Sequence, residues 1–271
     1  MRKASPIALA CAAAWTGWCS SSFGSIAYLQ NFSAASGQVN LSTVNWQAYY
    51  GSATTVATLA APGNGSGSTP NAMISGGTSA PTPGANVNAT AAVTSTTNGF
   101  VPLLSNDGAD QFVAYTTEYN IDGTLVNDFS WYSGSMDSGD QQSVIVQIGG
   151  NWYASTSPVT PVNPVSAGGS FGATATKSTL TFSTAAANWD TLNFTAGSDL
   201  TLGSVLSSPL PSGSITGFGL YVQIANHGGG ERSYFDTFEV DSVPEPAAAG
   251  FLCVGGLAAL ARRRRRSETW V

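Results

Sequence analysis

A chain of 271 residues that is 42% hydrophobic is long enough to bury a core of its own, while 31 glycines and 13 prolines interrupt it too often for long helices. Seven of the nine basic residues lie at the ends (Arg2, Lys3 and Arg262 to Arg266), so only Lys177 and Arg232 stand against the fourteen acids between residues 26 and 246, a net charge near −12. So acidic a body repels phosphate backbones, which need lysine and arginine to neutralise them, and this excludes nucleic acid as a partner.

At the N-terminus, Arg2 and Lys3 precede an apolar run from Ile7 to Trp18 and then the small residues Cys19, Ser20, Ser21, Ser22 and Gly24. That charged, apolar, small order is a secretory signal, and residues 1–25 are expected to form a signal helix that is removed. Cys11 and Cys19 fall inside it and Cys253 inside an apolar stretch near the other end. The body between therefore has no disulfide and no thiolate metal site.

Along the body, runs of β-branched and aromatic residues bounded by Gly, Asn, Asp, Ser or Pro predict strands at 26–32, 39–50, 54–60, 111–119, 125–132, 143–148, 152–155, 179–182, 189–195, 215–225 and 233–240. Alternation is clearest from Ile215 to Ile224, where Phe218, Leu220, Val222 and Ile224 share one face and Gly219, Tyr221 and Gln223 the other. Gly149-Gly150-Asn151 between two runs predicts a hairpin, because glycine supplies the positive φ angles of tight turns. Segments 61–99 and 156–175 are rich in Gly, Ser, Thr, Pro, Asn and Ala and are expected to be long loops.

Many short strands without long helices predict an all-β domain over 26–242, an antiparallel two-sheet sandwich of jelly-roll or concanavalin-like form. Leu29-Gln30-Asn31-Phe32 near its start and Tyr234-Phe235-Asp236-Thr237-Phe238-Glu239-Val240 at its end resemble the first and final strands of carbohydrate-binding and laminin-G-like jelly rolls. The resemblance implies that these two strands lie side by side. Asp128-Phe129-Ser130-Trp131-Tyr132 and Gly149-Gly150-Asn151-Trp152-Tyr153 are similar to segments of exported sandwich proteins.

Catalytic constellations are thin. Gly168-Gly169-Ser170-Phe171-Gly172 matches a nucleophile elbow and His227-Gly228-Gly229-Gly230 an oxyanion loop, but the order of the two is reversed and His227 is the single histidine. One histidine cannot serve both that loop and a triad. Glu239-Val240-Asp241-Ser242-Val243 begins the E-x-D-x-E strand of concanavalin-like glycosidases and ends in valine. Oxygen-rich turns suit calcium better than a transition metal, with Asp107, Asp110, Asp137 and Asp140 as candidate ligands. Asp236 is added by resemblance to calcium-binding jelly rolls. Sugar rings stack on aromatic faces, so Trp131, Trp152, Tyr153 and Trp189 are the expected glycan contacts, although strand alternation turns one ring of each adjacent Trp-Tyr pair inward.

Beyond the body come Val243-Pro244-Glu245-Pro246, an apolar span from Ala247 to Ala261 and the cluster Arg262, Arg263, Arg264, Arg265 and Arg266. As a helix the fifteen apolar residues reach about 22 Å, short of a bilayer core of about 30 Å. The arginines would stay on the cytoplasmic side. The order of motif, apolar helix and arginine cluster over 243–271 resembles the PEP-CTERM sorting tail of Gram-negative bacteria. It implies recognition by an exosortase, with Pro244, Glu245 and Pro246 as the motif, after transit through the secretion machinery and transient inner-membrane anchoring. The expected product is an exported protein of the cell surface or extracellular matrix, a non-catalytic glycan-binding or structural component associated with exopolysaccharide. The alternative is a secreted glycoside hydrolase of concanavalin-like fold.

Overall fold

The computed structural model describes residues 25–32, 37–52, 58–59, 71–72, 74–76, 99–105, 110–136, 138–161, 175–225 and 232–243. Its strands are β1 (Ser25–Gln30), β2 (Gly37–Val39), β3 (Gln47–Ser52), β4 (Thr58–Leu59), β5 (Asn71–Ala72), β6 (Ile74–Gly76), β7 (Gly99–Leu104), β8 (Asp110–Thr116) and β9 (Ile121–Asp122). They continue with β10 (Val126–Ser135), β11 (Gln141–Ile148), β12 (Asn151–Ser155), β13 (Thr176–Thr181), β14 (Trp189–Thr195), β15 (Asp199–Val205), β16 (Ser214–Gln223) and β17 (Arg232–Ser242). Two sheets result. One runs β13-β10-β17-β7-β6-β2, with β1 on β17 and β5 on β7; the other runs β15-β14-β12-β11-β16-β8-β3-β4, with β9 on β16.

The fold is thus the all-β antiparallel sandwich that the strand pattern predicts, and the first and last strands pair as expected. Residues 26–241 form one compact unit; of the other, 1–25 with 242–271, only Ser25, Ser242 and Val243 are described, and there the hydroxyls of Ser25 and Ser242 lie 2.9 Å apart. Among the described residues no helix is long and apolar enough to cross a membrane. The expected terminal helices at 1–25 and 247–261 lie outside those residues.

Alternation fills the space between the sheets. β16 contributes Phe218, Leu220 and Val222, β11 Val144, Val146 and Ile148, β10 Phe129 and Trp131, and β17 Phe235, Phe238 and Val240. The β11–β12 hairpin turns on Gly149 and Gly150 at φ 59° and 82°, the positive angles its sequence predicts. In β17 the inward pattern skips a residue at Thr237, whose φ of 48° is unusual for a β-branched side chain.

Buried indoles need acceptors. Trp131 Nε1 donates to Gln142 Oε1 at 2.7 Å, and Gln142 Nε2 donates to Ser233 Oγ at 3.0 Å and to the Tyr234 carbonyl at 2.9 Å. Gln142 lies on β11 of one sheet and its partners on β10 and β17 of the other, so one wholly buried amide fastens the two layers. Trp46 Nε1 repeats the device at the next edge, donating to Tyr28 Oη at 2.6 Å.

The sheet ending in β15 does not stay open. β3 and β14 are five strand spacings apart, about 24 Å if the sheet were flat, yet the rings of Tyr49 and Phe194 meet at 5.5 Å between centroids. The sheet therefore curls until β15 touches β3, and its outward side chains Val113, Tyr115, Ile145, Trp152, Leu192, Leu200 and Tyr221 become a second core. Gly217 permits this, since a Cβ there would come within 2.8 Å of the Trp152 ring.

Several expected boundaries are corrected. The run 39–50 is not one strand: a short 3-10 helix, Leu41–Val44, breaks it, with the Asn40 side chain accepting from the Ser42 amide at one end and Asn45 in the left-handed region at the other. Asparagine tolerates that conformation better than most residues, which is why the break falls there. The expected loop 61–99 contains β5 and β6, with Ala72 buried. Its last residue opens β7, an unpredicted strand whose Val101 and Leu103 enter the core.

Replacing Gln142 with alanine takes the acceptor from the buried Trp131 indole and one donor each from Ser233 Oγ and the Tyr234 carbonyl, about 2–4 kcal/mol in all, at about 1–3 kcal/mol for a buried group left unpaired and about 0.5–1.5 kcal/mol for a hydrogen bond lost. Thermal melting is expected to fall by roughly 4–16 °C, taking about 2–4 °C per kcal/mol for a domain of this size. The exposed neighbour Gln141→Ala is the control, expected to move little. Equal melting of the two variants would remove the staple from this account.

Candidate functional site

Where the curled sheet ends at β3 and β8, a cavity of about 210 Å³ opens. One wall is the capped turn and the start of β3: Ser42, Asn45, Trp46 and Gln47. The other is the end of β8 and the chain beyond it: Tyr115, Thr116, Thr117 and Glu118. The turn is pinned by amide donations from Asn45 to the Ser42 carbonyl (3.2 Å) and from Trp46 to the Leu41 carbonyl (3.1 Å), so Asn45 is set by the backbone rather than by chance.

Across the cavity, Tyr115 Oη donates to Gln47 Oε1 at 3.1 Å. Burial, and secondarily the neighbouring Tyr49, push the Tyr115 phenol up to about 12, so the hydroxyl stays a neutral donor. The Glu118 amide donates to Thr116 Oγ1 at 3.4 Å, while the Glu118 side chain is exposed. Tyr119 follows it with 45% of its surface exposed, its ring edge packed on Tyr28 at 4.6 Å. The lining thus collects amides, hydroxyls and one carboxylate, with the part-exposed Tyr119 ring next in sequence. At the other end of the same sheet face, Gly51, Gln111, Gln223 and Gln141 form a cross-strand row in which Gln223 Nε2 donates to Tyr221 Oη at 3.2 Å.

The aromatic residues expected to contact glycans are elsewhere, and this is a correction. Trp131 and Trp189 are each 1% exposed, and Trp189 Nε1 donates to the Ser183 carbonyl at 2.6 Å. Tyr153 faces the core between the sheets. Trp152 faces the other way, but its ring is covered by Tyr115 at 5.0 Å and Phe194 at 6.0 Å. None of the four offers a free ring face: Trp131, Tyr153 and Trp189 are packed between the sheets, and the outward side that Trp152 takes is itself enclosed by the curl.

Of the candidate calcium ligands, Asp107 and Asp137 lie outside the described residues, and for Asp110 only its place at the start of β8 is described. Asp140 is a buried anchor: Oδ2 accepts from Ser135 Oγ at 2.6 Å and Oδ1 from the Ala225 amide at 2.9 Å, tying the β10–β11 turn to the end of β16. Asp236 is buried too, accepting from the Thr237 amide at 2.6 Å, and burial pushes its carboxyl up to about 8 despite that bond. Among the described residues no three acidic, histidine or cysteine groups are placed to hold a metal.

Glu239 and Asp241, the start of the glycosidase-like pattern, lie on β17 in the other sheet from the cavity. Glu239 Oε2 accepts from Lys177 Nζ at 3.3 Å and from Ser130 Oγ at 3.4 Å. The Asp241 carboxyl is pushed up to about 6 by burial first, then by the negative charges of Glu239 and Asp128. His227 and the segment 168–172 lie outside the described residues.

Aromatic content does not mark the cavity: its tryptophan, Trp46, is wholly buried, and most of its other lining residues are amides, hydroxyls and a carboxylate. A usable signal was Thr116-Thr117-Glu118-Tyr119-Asn120, a polar run holding one aromatic ring directly after the apolar Phe112 to Tyr115.

An aspartate that is protonated when folded costs stability as the pH rises. The unfolded side chain titrates near 3.8, so the contribution of Asp236 is level below about pH 4, declines up to about 8 and is level again above, with Asp241 adding in the same sense up to about 6. Asp236→Asn is expected to melt close to the parent at pH 4 and above it at pH 8. A parent-like decline in the variant would refute the assignment.

No protein-family model matches the chain, and no curated protein does. Among solved structures it is similar to a family 11 carbohydrate-binding module from Clostridium thermocellum in complex with a β-1,3-1,4-mixed-linked tetrasaccharide, at 14% identity over 76% of this chain and 97% of that one, with a TM-score of 0.37. It is also similar to the family 11 carbohydrate-binding module of the cellulosomal cellulase Lic26A-Cel5E of Clostridium thermocellum, at 12% identity over 79% and 99%, with a TM-score of 0.38. Likeness at this level does not identify a ligand.

Proposed function

We propose that this chain is an exported, non-catalytic surface or matrix protein whose sandwich binds glycan at the cavity between the 41–45 turn and the end of β8. The cavity itself carries the reading. Pyranose rings present hydroxyls to amides and carboxylates and apolar C–H faces to aromatic rings; Asn45, Gln47, Thr117 and Glu118 line the cavity, and the exposed Tyr119 directly follows Glu118 in the chain. Export rests on the two ends of the sequence, the segment 1–25 and the sorting tail 243–271 with its Pro244-Glu245-Pro246 motif. Ser25, the last residue of the segment 1–25, opens β1 and is hydrogen-bonded to Ser242 at the end of β17, so a cut before Ser25 and another after Ser242 would leave the β1–β17 pair whole, while a cut after Ser25 would remove its bonds to Ser242.

Two outcomes are expected. On an array of diverse oligosaccharides the full chain binds a defined subset, and Tyr119→Ala, which removes a part-exposed ring together with its edge contact on Tyr28, weakens that binding about 5- to 10-fold, the worth of roughly 1 kcal/mol of ring contact. Silence across the array removes the glycan reading. In a host with a matching exosortase, replacing Glu245 or deleting Arg262 to Arg266 leaves a longer precursor in the membrane fraction, and unchanged processing removes the sorting reading.

A further inference from the structure

We infer that the cavity takes a single uncharged sugar residue, at a chain end or a side branch, rather than a stretch of acidic polysaccharide; this rests on the glycan reading above.

Three observations converge on it. The first is charge. The body has two cations, and both lie on the other sheet: Lys177 on β13, paired with Glu239, and Arg232 at the start of β17. The cavity is lined by neutral groups and the Glu118 carboxylate. A uronate or sulfate entering it would meet a like charge with no cation among the lining residues, in a body already near −12. An uncharged ring instead offers hydroxyl donors to Glu118, the stronger kind of hydrogen bond because its acceptor is ionised.

The second is size. Pockets that enclose drug-sized ligands run from about 300 to 1,000 Å³. At about 210 Å³ this one falls below that range and suits one ring.

The third is the closed path beside it. An extended glycan lying along the sheet would have to pass through the inside of the curl, which is filled where Tyr49 meets Phe194 and β15 meets β3. The Trp46 indole, wholly buried, and the pinned 41–45 turn close the side opposite β8. The cavity is therefore closed toward the curl and toward the turn, which favours a chain end or a branch over a stretch that runs along the sheet.

The test is titration calorimetry of the full chain against matched neutral and uronate-containing oligosaccharides, from monosaccharide to hexasaccharide. Expected are binding of neutral ligands only, an affinity that stays level with chain length, and competition by the free monosaccharide of the terminal sugar. Glu118→Gln, an exposed position whose replacement leaves melting unchanged, should weaken the neutral ligand about tenfold or more and narrow the discrimination against the uronate. Affinity that climbs steadily with length, or preference for the uronate series, overturns this inference while leaving glycan binding standing. Absence of binding to every member overturns the glycan reading and this inference with it.

Discussion

The sandwich depends on how it satisfies its indoles. Trp131 is too large to leave the interior and its N–H too polar to remain there unpaired, so the facing sheet must present an acceptor. It presents Gln142, which accepts from the indole and passes its two amide hydrogens to Ser233 and Tyr234. That arrangement fixes β10 and β17 against β11 to within a hydrogen-bond length, where packing alone would allow sliding. Trp46 and Tyr28 do the same between β1 and the start of β3, and because Trp46 also walls the cavity, the same bond that holds the layers holds the site.

How far the fold was legible follows from what a strand pattern encodes. Parity is local: Phe218, Leu220, Val222 and Ile224 declare a shared face, and the structure buries that face. The glycine hairpin at 149–150 is likewise local and came out as read. Curvature is not local. Tyr221 and Trp152 sit on faces that a flat sheet would open to solvent, and no period in their own strands reports that β15 will come round to β3. This is why alternation correctly set Trp152 and Tyr153 on opposite faces yet could not say that both faces are closed.

The site was less legible than the fold for a related reason. Its walls come from 42–47 and 115–118, distant in sequence, joined only because β3 pairs with β8 in the register Gln47 to Tyr115. On the first wall the two asparagines were readable as caps, Asn40 by its side chain and Asn45 by its tolerance of positive φ, and reading them would have split the long strand expected there. On the second, the change from an apolar to a polar run after Tyr115 marked the strand end, and ligand-facing groups commonly gather where a rigid strand gives way to a loop.

The pairing of β1 with β17 makes the fold non-local to its limits. Two residues that share a hydrogen bond, Ser25 and Ser242, are separated by 217 positions. Loop closure over that distance costs little more than over half of it, since the penalty grows only as the logarithm of length. The order of events is what it changes: the sheet containing β10, β17 and β7 has no centre until β17 exists, and Gln142 has neither Ser233 nor Tyr234 to bond until then. A body without cysteines has no covalent lock to compensate. That sheet is therefore completed only when the last strand is in place, beside the first, whereas the strands of the other sheet all precede it in the chain.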